Sequence, residues 1–518
     1  MMQKGSNLKL VVTGLLLGIL MSAMDNTIVA TSMGTIVSEL GNYDKFIWVT
    51  SAYMVATMAG MPIFGKLSDM YGRKRFFVFG LIMFLLGSAL CGLSQTMVQL
   101  SIFRAIQGIG GGALMPIAFT IIFDIFPPQA RGKMTGLFGA VFGASSVLGP
   151  LLGAYITDNI KWNWIFYVNL PIGIVALFLI LRFYKESPQH VRQKIDWWGA
   201  STLVISVVSL MFALELGGEK GYPWDGWKII GLFVVFAVFF VAFFLIERVA
   251  KEPIISFWLF KKRLFATSQI LALLYGATFI ILTVFIPIFV SAVYGGTATN
   301  AGLILMPMMI GSVVGSSIGG IFQTRTTFRN LMIVSVITFF VGMLMLGLMT
   351  PDTHRWMLTI FMTLAGFGVG FSFSMLPTAS MHNLDPRFRG TATSTNSFLR
   401  SFGMTLGITI FGTIQSNLMS TKMTNAFKDM AGGGQSSANF SSGNIQELFK
   451  SGARSQIPAD ILHRIVGAMS DSITGTFLLA LIPIGVAAVV VLLMGNARIQ
   501  ATPKEAETSV APEPASQH

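Results

Sequence analysis

Fourteen runs of roughly 20 mostly apolar residues follow one another along the chain, each long enough to cross the hydrocarbon core of a bilayer. They lie near 10–31, 47–67, 76–94, 97–123, 135–157, 164–183, 198–216, 228–247, 265–291, 299–322, 331–349, 356–380, 391–415 and 472–494. In a bilayer only helices and closed barrels satisfy every backbone polar group. A barrel would show short alternating segments instead, so the expected fold class is all-α and integral to a membrane. Composition leads to the same place, because 53% hydrophobic residues, 11% charged residues and a mean hydropathy of +0.71 leave no polar surface for a water-soluble globule. The many Gly (54), Phe (44) and Met (31) residues suit helices that face lipid and pack closely through small side chains.

Charge sets the expected topology. A net charge of +13 would suggest nucleic acid in a soluble protein, but here the Lys and Arg residues gather in alternate connections, and cytoplasmic loops carry such an excess. No nucleic-acid partner is expected. An even number of spans then places both termini in the cytoplasm of a multi-pass cell-membrane protein. Lys4 and Lys9 before the first apolar run could pass for a secretory signal, yet apolar character continues to Ala30 without a cleavage site. We take it as a retained first helix. The single cysteine, Cys91, lies in an apolar run, so neither a disulfide framework nor a metal-ligand cluster is implied.

Connection lengths divide the chain into a first six-helix bundle (1–184), linkers with a central helix pair (185–264) and a second six-helix bundle (265–495). The central pair shows no obvious polar machinery. An outer loop at about 416–471 contains AGGGQSS and two amphipathic stretches, Ile445–Lys450 and Ile461–Met469, and the tail 496–518 has a disordered composition. Two six-helix halves suit a transporter whose site lies at mid-membrane. GGIFQTRTTFRN (319–330) occupies the same place in the second half as GKLSDMYGRKR (65–75) in the first, without its acid.

GKLSDMYGRKR joins two apolar runs. Gly65 and Gly72 permit close backbone approach, Asp69 can accept from helix N-terminal amides, and Lys66, Arg73, Lys74 and Arg75 meet anionic headgroups. The plainer alternative is a loop that merely sets topology. Asp25 and Arg104 are charges inside apolar runs, each costing about 2.5–3.5 kcal/mol on insertion scales, and such residues are usually functional. Counted from the outer ends of their runs at about 1.5 Å per residue, both lie roughly 9–10 Å deep and can meet. They form either a proton switch or a static pair. Gly139 with Gly143, and Gly149 with Gly153, have the spacing that lets helices touch, and Pro150 can kink that segment. GSVVGSSIGG (311–320) reads as a packing face.

Four stretches, GKLSDMYGRKR, LSIFRAIQGIGGG (100–112), GASSVLGPLLGA (143–154) and NWIFYVNLPIG (163–173), together resemble signatures of the major facilitator superfamily, and within it the fourteen-helix drug:proton antiporters. The resemblance covers nearly the whole chain and implies a major facilitator fold of two six-helix bundles plus two central helices. It implies proton coupling through Asp25 and Arg104, a cytoplasmic gate at Gly65, Asp69, Gly72, Arg73 and Lys74, and an antiporter motif at Gly143, Gly149, Pro150 and Gly153 that favours export.

Tyr275, Phe279, Phe371 and Met375 are candidates for a soft pocket for amphiphilic small molecules. Arg400, about nine residues into its run, either holds an anion or gates, or else snorkels toward the cytoplasm. No mid-membrane carboxylate is expected in the last six helices, which favours neutral, zwitterionic or monovalent substrates. The function expected is proton-coupled export by a monomer without metal or cofactor. The alternatives are export of a specific physiological lipid or metabolite and, from another class, an intramembrane enzyme. The enzyme is disfavoured because His190, His354, His382, His463 and His518 all fall in expected loops or tail. A channel would not need the coupled acid and base, and no nucleotide motif suggests ATP use.

Overall fold

Apolar runs that must satisfy their own backbone become helices, and here nothing else forms. The structure, a computed structural model, describes residues 7–41, 46–186, 195–217, 222–250, 252–294, 305–427 and 459–498. It comprises α1 (Leu8–Leu40), α2 (Phe46–Tyr71), α3 (Arg73–Gly92), α4 (Met97–Ile125), α5 (Pro128–Asn159), α6 (Trp164–Tyr167), α7 (Asn169–Phe183), α8 (Trp197–Leu216) and α9 (Trp227–Val249). These are followed by α10 (Arg263–Val293), α11 (Met306–Phe322), α12 (Phe328–Gly347), α13 (Arg355–Met381), α14 (Arg389–Phe427), α15 (Ala459–Leu479) and α16 (Leu481–Leu492). Among the described residues there is no strand.

Each of the fourteen apolar runs is mainly helical over its described residues, and among the described residues twelve helices are both long and apolar enough to cross a membrane. The other two differ for visible reasons. The run near 299–322 is described as helix only over the 17 residues of α11, and α2 is a 26-residue helix that carries Pro62 in its interior.

Local chemistry sets several boundaries. Thr96 and Thr327 cap α4 and α12 by accepting from Gln99 and Asn330, and Asp196 caps α8 through Gly199. The sharpest is Gly72, whose φ of 109° is open to glycine and strained for other residues. Because α2 runs to Tyr71 and α3 starts at Arg73, GKLSDMYGRKR is two helix ends with a one-residue hinge, not the loop its charges suggested. The corresponding stretch between α11 and α12 has a longer connection.

Helices α1–α7 share cores centred on Val11, Phe77, Phe84 and Ile117 and on Ile28, Val49 and Phe166, whereas α10–α16 share one centred on Phe289, Phe339, Met362 and Phe477. The two groups meet where α5 and α13 face each other, α5 lies on α11, and α14 lies on α2 and α4. Helix α8 docks on α2, and α9 touches mainly α8. That leaves only 11% of α9's most apolar window buried at a mean hydropathy of 3.2, a surface made for lipid.

The outer loop is shorter than the sequence suggested. Helix α14 runs on to Phe427 and α15 begins at Ala459, so Ile461–Met469 and His463 are helical, while AGGGQSS and Ile445–Lys450 lie outside the described residues, as do His190 and residues 499–518 of the tail. At about 1.5 Å per residue α14 spans some 58 Å, well beyond a ~30 Å hydrocarbon core. Its far end packs Met419 and Met423 against Ile465 and Met469 of α15, and Lys422 pairs with Asp471 at 3.0 Å.

Candidate functional site

Asp25 on α1 and Arg104 on α4 are brought together as an ion pair with 0% and 1% exposure. A charge pair removed from water holds only if its remaining hydrogen-bonding capacity is met, and here neighbours on three helices meet it. Asp25 Oδ1 accepts from Gln107 Nε2 at 2.8 Å and from Asn169 Nδ2 at 3.0 Å, while Arg104 takes Oδ2. Arg104 Nη1 also donates to Gln107 Oε1 at 2.8 Å, its Nε donates to the Val49 carbonyl at 3.4 Å, and its guanidinium lies 4.1 Å from the centre of the Tyr53 ring. Ser88 accepts from Asn169 at 3.0 Å and donates to the Phe166 carbonyl at 2.8 Å. Gln107, Asn169, Ser88 and Tyr53 escaped the sequence reading, although Gln107 had a signal. It lies three residues after Arg104, on the same helix face.

Asp69 sits at the other end of the first group and reaches the second. Its Oδ1 accepts from the backbone N–H of Gly390 at 2.9 Å and its Oδ2 from that of Thr391 at 2.8 Å, so the carboxylate caps the N-terminus of α14, where the helix dipole favours an anion. Arg73 Nη2 donates to Asp69 at 3.3 Å and to the Pro386 carbonyl at 2.8 Å, and Arg73 also pairs with Asp124. Arg389 holds Asp124 from the opposite side at 2.8 Å. Glu186 accepts from the N–H groups of Arg73 and Lys74 at 2.7 and 3.1 Å, and Lys74 Nζ donates to the Leu181 carbonyl at 2.8 Å. Gly65 is needed for contact: a Cβ there would run into Ser394 and the Gly390 carbonyl. Just after α13, burial and then the charge of Arg131 pull the His382 imidazole below its ordinary range.

The central pair is less inert than its sequence suggested. Lys66 Nζ donates to Glu252 at 2.7 Å, tying the segment after α9 to α2, and the buried Glu247 accepts from the Ile254 N–H at 3.0 Å.

The glycines of α5 divide between two neighbours. A Cβ at Gly139 or Gly143 would meet Ser316 or Val313 of α11, and one at Gly149 or Gly153 would meet Thr27 or Thr31 of α1, close to Asp25. Pro150 lies inside a helix that continues to Asn159. With Gly65 against Ser394, Gly136 against Ser317, and Thr120 bonded to Thr393 at 2.7 Å, these contacts between the two groups fall between the Asp69 end and the middle of the bundle.

Tyr275, Phe279, Phe371 and Met375 all lie among the buried residues of the second group. Tyr275 bonds Ser335 at 2.7 Å and stacks on Phe339, and Phe371 covers Gly319. Arg400 turns to α13. It donates to the Ser372 hydroxyl at 3.2 Å and the Ser372 carbonyl at 2.9 Å, with its guanidinium 4.7 Å from the centre of the Phe373 ring.

The comparisons agree with this architecture. Residues 15–408 match the model of the Major Facilitator Superfamily. The chain is 70% identical to Multidrug resistance protein 3 of Bacillus subtilis over 499 residues, covering 96% of this chain and 97% of that one. It is 36% identical to the Multidrug transporter protein MdtP of the same organism, covering 95% and 94%. Among solved structures, a bacterial homolog of the human lysosomal transporter Spinster, inward-facing and occupied, is similar with a TM-score of 0.55 at 18% identity, covering 93% of this chain and 96% of that one. The proton:xylose symporter XylE aligns with a TM-score of 0.57 at 11% identity, covering 92% and 94%. Likeness at those identities concerns the fold alone, whereas the family match and the near end-to-end alignment at 70% identity show that this chain belongs to the major facilitator superfamily.

Proposed function

We propose that the chain is a proton-coupled antiporter that exports amphiphilic compounds by alternating access, working as a monomer in the cell membrane with both termini cytoplasmic. The observation that carries this reading is the sealed Asp25–Arg104 pair, an acid and a base facing each other deep in an apolar bundle. Separating them leaves a bare carboxylate in apolar surroundings, which is costly until it takes up a proton. Loss of Arg104 and gain of a proton therefore go together, and a change of helix packing that parts the pair becomes a proton-binding step. Gly149 and Gly153 clamp α1 just beyond Asp25, so motion of α5 against α11 is transmitted toward the acid.

The names of the Bacillus relatives favour drugs as cargo. The basic GKLSDMYGRKR end is assigned to the cytoplasm because Lys and Arg accumulate there, and cross-group contacts at that end correspond to a state closed inward. Asp69, Arg73, Asp124 and Arg389 act as its latch.

The test is proton movement driven by substrate in proteoliposomes made with purified wild-type protein and with Asp25→Asn. Wild type is expected to move an amphiphilic fluorescent cation against its gradient when a pH difference is imposed, and Asp25→Asn to lose at least nine-tenths of that activity while still binding the dye. Undiminished pH-driven transport by the Asn variant would remove Asp25 from the coupling site.

A further inference from the structure

Arg400 differs from Arg104, Arg73 and Arg389 in what it faces. Arg104 faces Asp25, and Arg73 and Arg389 both face Asp124. No carboxylate pairs with Arg400 among the described residues, and its hydrogen bonds go to one neutral residue, Ser372. It lies eleven residues into α14 (400 − 389), about 16 Å along the axis and so near mid-membrane. A guanidinium at that depth faces an anion, a backbone carbonyl or a water-filled space, and here one carbonyl and one hydroxyl take up only part of its five N–H donors. The residue is mostly buried but keeps some exposure, whereas Asn396 on the preceding turn is sealed.

Its surroundings are shaped for an amphiphile. The guanidinium lies over Phe373, which meets Phe279 edge to face at 5.7 Å. Phe373 is also the side chain that a Cβ at Gly139 of α5 would approach, at 4.0 Å. The charge therefore sits on an aromatic shelf at the seam between the two helix groups, with hydroxyls from Ser372 and Ser316 nearby. Resting on the export reading above, we infer that Arg400 is the receptor for an acidic head group, and that the transported amphiphiles include aromatic carboxylates whose rings lie against Phe279 and Phe373. A planar guanidinium matches a carboxylate with two parallel hydrogen bonds, a geometry an ammonium cannot copy. The pairing also ties reorientation to loading. Closing the bundle over an empty Arg400 strands a charge in apolar surroundings, and closing it over a bound carboxylate does not.

The experiment uses three probes on one aromatic skeleton: the carboxylate, its methyl ester and a quaternary ammonium. Binding to the purified full-length protein is measured by equilibrium dialysis, and transport in vesicles of neutral phosphatidylcholine, where no anionic lipid competes. Arg400→Gln is expected to weaken carboxylate binding about tenfold, as befits loss of one charge-assisted pair, and to leave the ester and ammonium within twofold. Arg400→Lys is expected to fall between wild type and Arg400→Gln for the carboxylate alone. Equal weakening of all three probes by Arg400→Gln would make the arginine structural, and no change for the carboxylate would also overturn the assignment. If the carboxylate binds through Arg400 but the wild type moves none of the probes under a pH gradient, the export reading fails and the binding assignment stands.

Discussion

Asn169 shows how much of the proposed proton site rests on neutral residues. Both of its side-chain hydrogen bonds leave from Nδ2, to Asp25 and to Ser88, while its Oδ1 has no partner among the described residues. Replacing it by leucine, which has the same branched outline but bulkier methyl groups, removes a donor from the Asp25 carboxylate. Losing one hydrogen bond to a buried charged group costs about 1–3 kcal/mol. Asn169→Leu is expected to lower the thermal midpoint of the purified protein by several degrees, to shift the pH dependence of transport and to reduce its maximal rate by about an order of magnitude. An unaltered pH profile alongside a lowered midpoint would make Asn169 a packing residue only. Asp25 and Arg104 were legible in the sequence because a charge inside an apolar run is expensive and conspicuous. Asn169 and Ser88 were not, because a single amide or hydroxyl in a helix is cheap and common, and only the fold reveals which helix it faces. The same limit applied to Tyr275 and Met375, whose residue types suit a pocket or a core equally, and which are core residues here.

At the scale of elements, the contact between the end of α2 and the start of α14 is what joins the two groups near Asp69. Sequence made one side of it visible, since GKLSDMYGRKR concentrates charge around spaced glycines. The other side, Pro386 to Thr391, gave no local sign, because what it offers is backbone N–H and C=O groups more than three hundred positions away. Helix termini supply such groups whatever their side chains are. The extension of α2 and α3 through the charged stretch was hidden for a related reason: charge marks where a helix leaves the apolar layer, not where its hydrogen bonds stop. Asp69→Asn retains the size of the side chain but takes the negative charge from the α14 N-terminus and from Arg73. It is expected to slow transport by about tenfold by weakening the inward-closed state, while leaving the Asp25 site, in the other part of the bundle, able to bind a proton. Proton uptake by the detergent-purified variant, compared with its transport rate in vesicles, separates the two. Loss of proton binding as well would show that latch and proton site are one unit.

For the whole molecule, the proposed alternating access has the seam at the Asp69 end open and close in every cycle, and the structure offers a place to arrest it. The hydroxyls of Thr120 on α4 and Thr393 on α14 are 2.7 Å apart and both residues are buried, so two cysteines there stand within reach of a disulfide without moving either backbone far. The background is favourable, because the chain has one native cysteine, Cys91, which is buried and can be replaced by serine. In that background Thr120→Cys with Thr393→Cys is expected to transport when reduced, to lose nearly all transport once oxidised, and to regain it on reduction, while either single cysteine variant responds to neither treatment. Substrate should still bind the oxidised form from the opposite end, since the link closes only the Asp69 end. Mass spectrometry measures how much of the protein is crosslinked, which makes the outcome decisive. Transport at the unlinked rate by a fully crosslinked population would mean that α4 and α14 stay together throughout the cycle, and that this seam is a fixed joint instead of a gate.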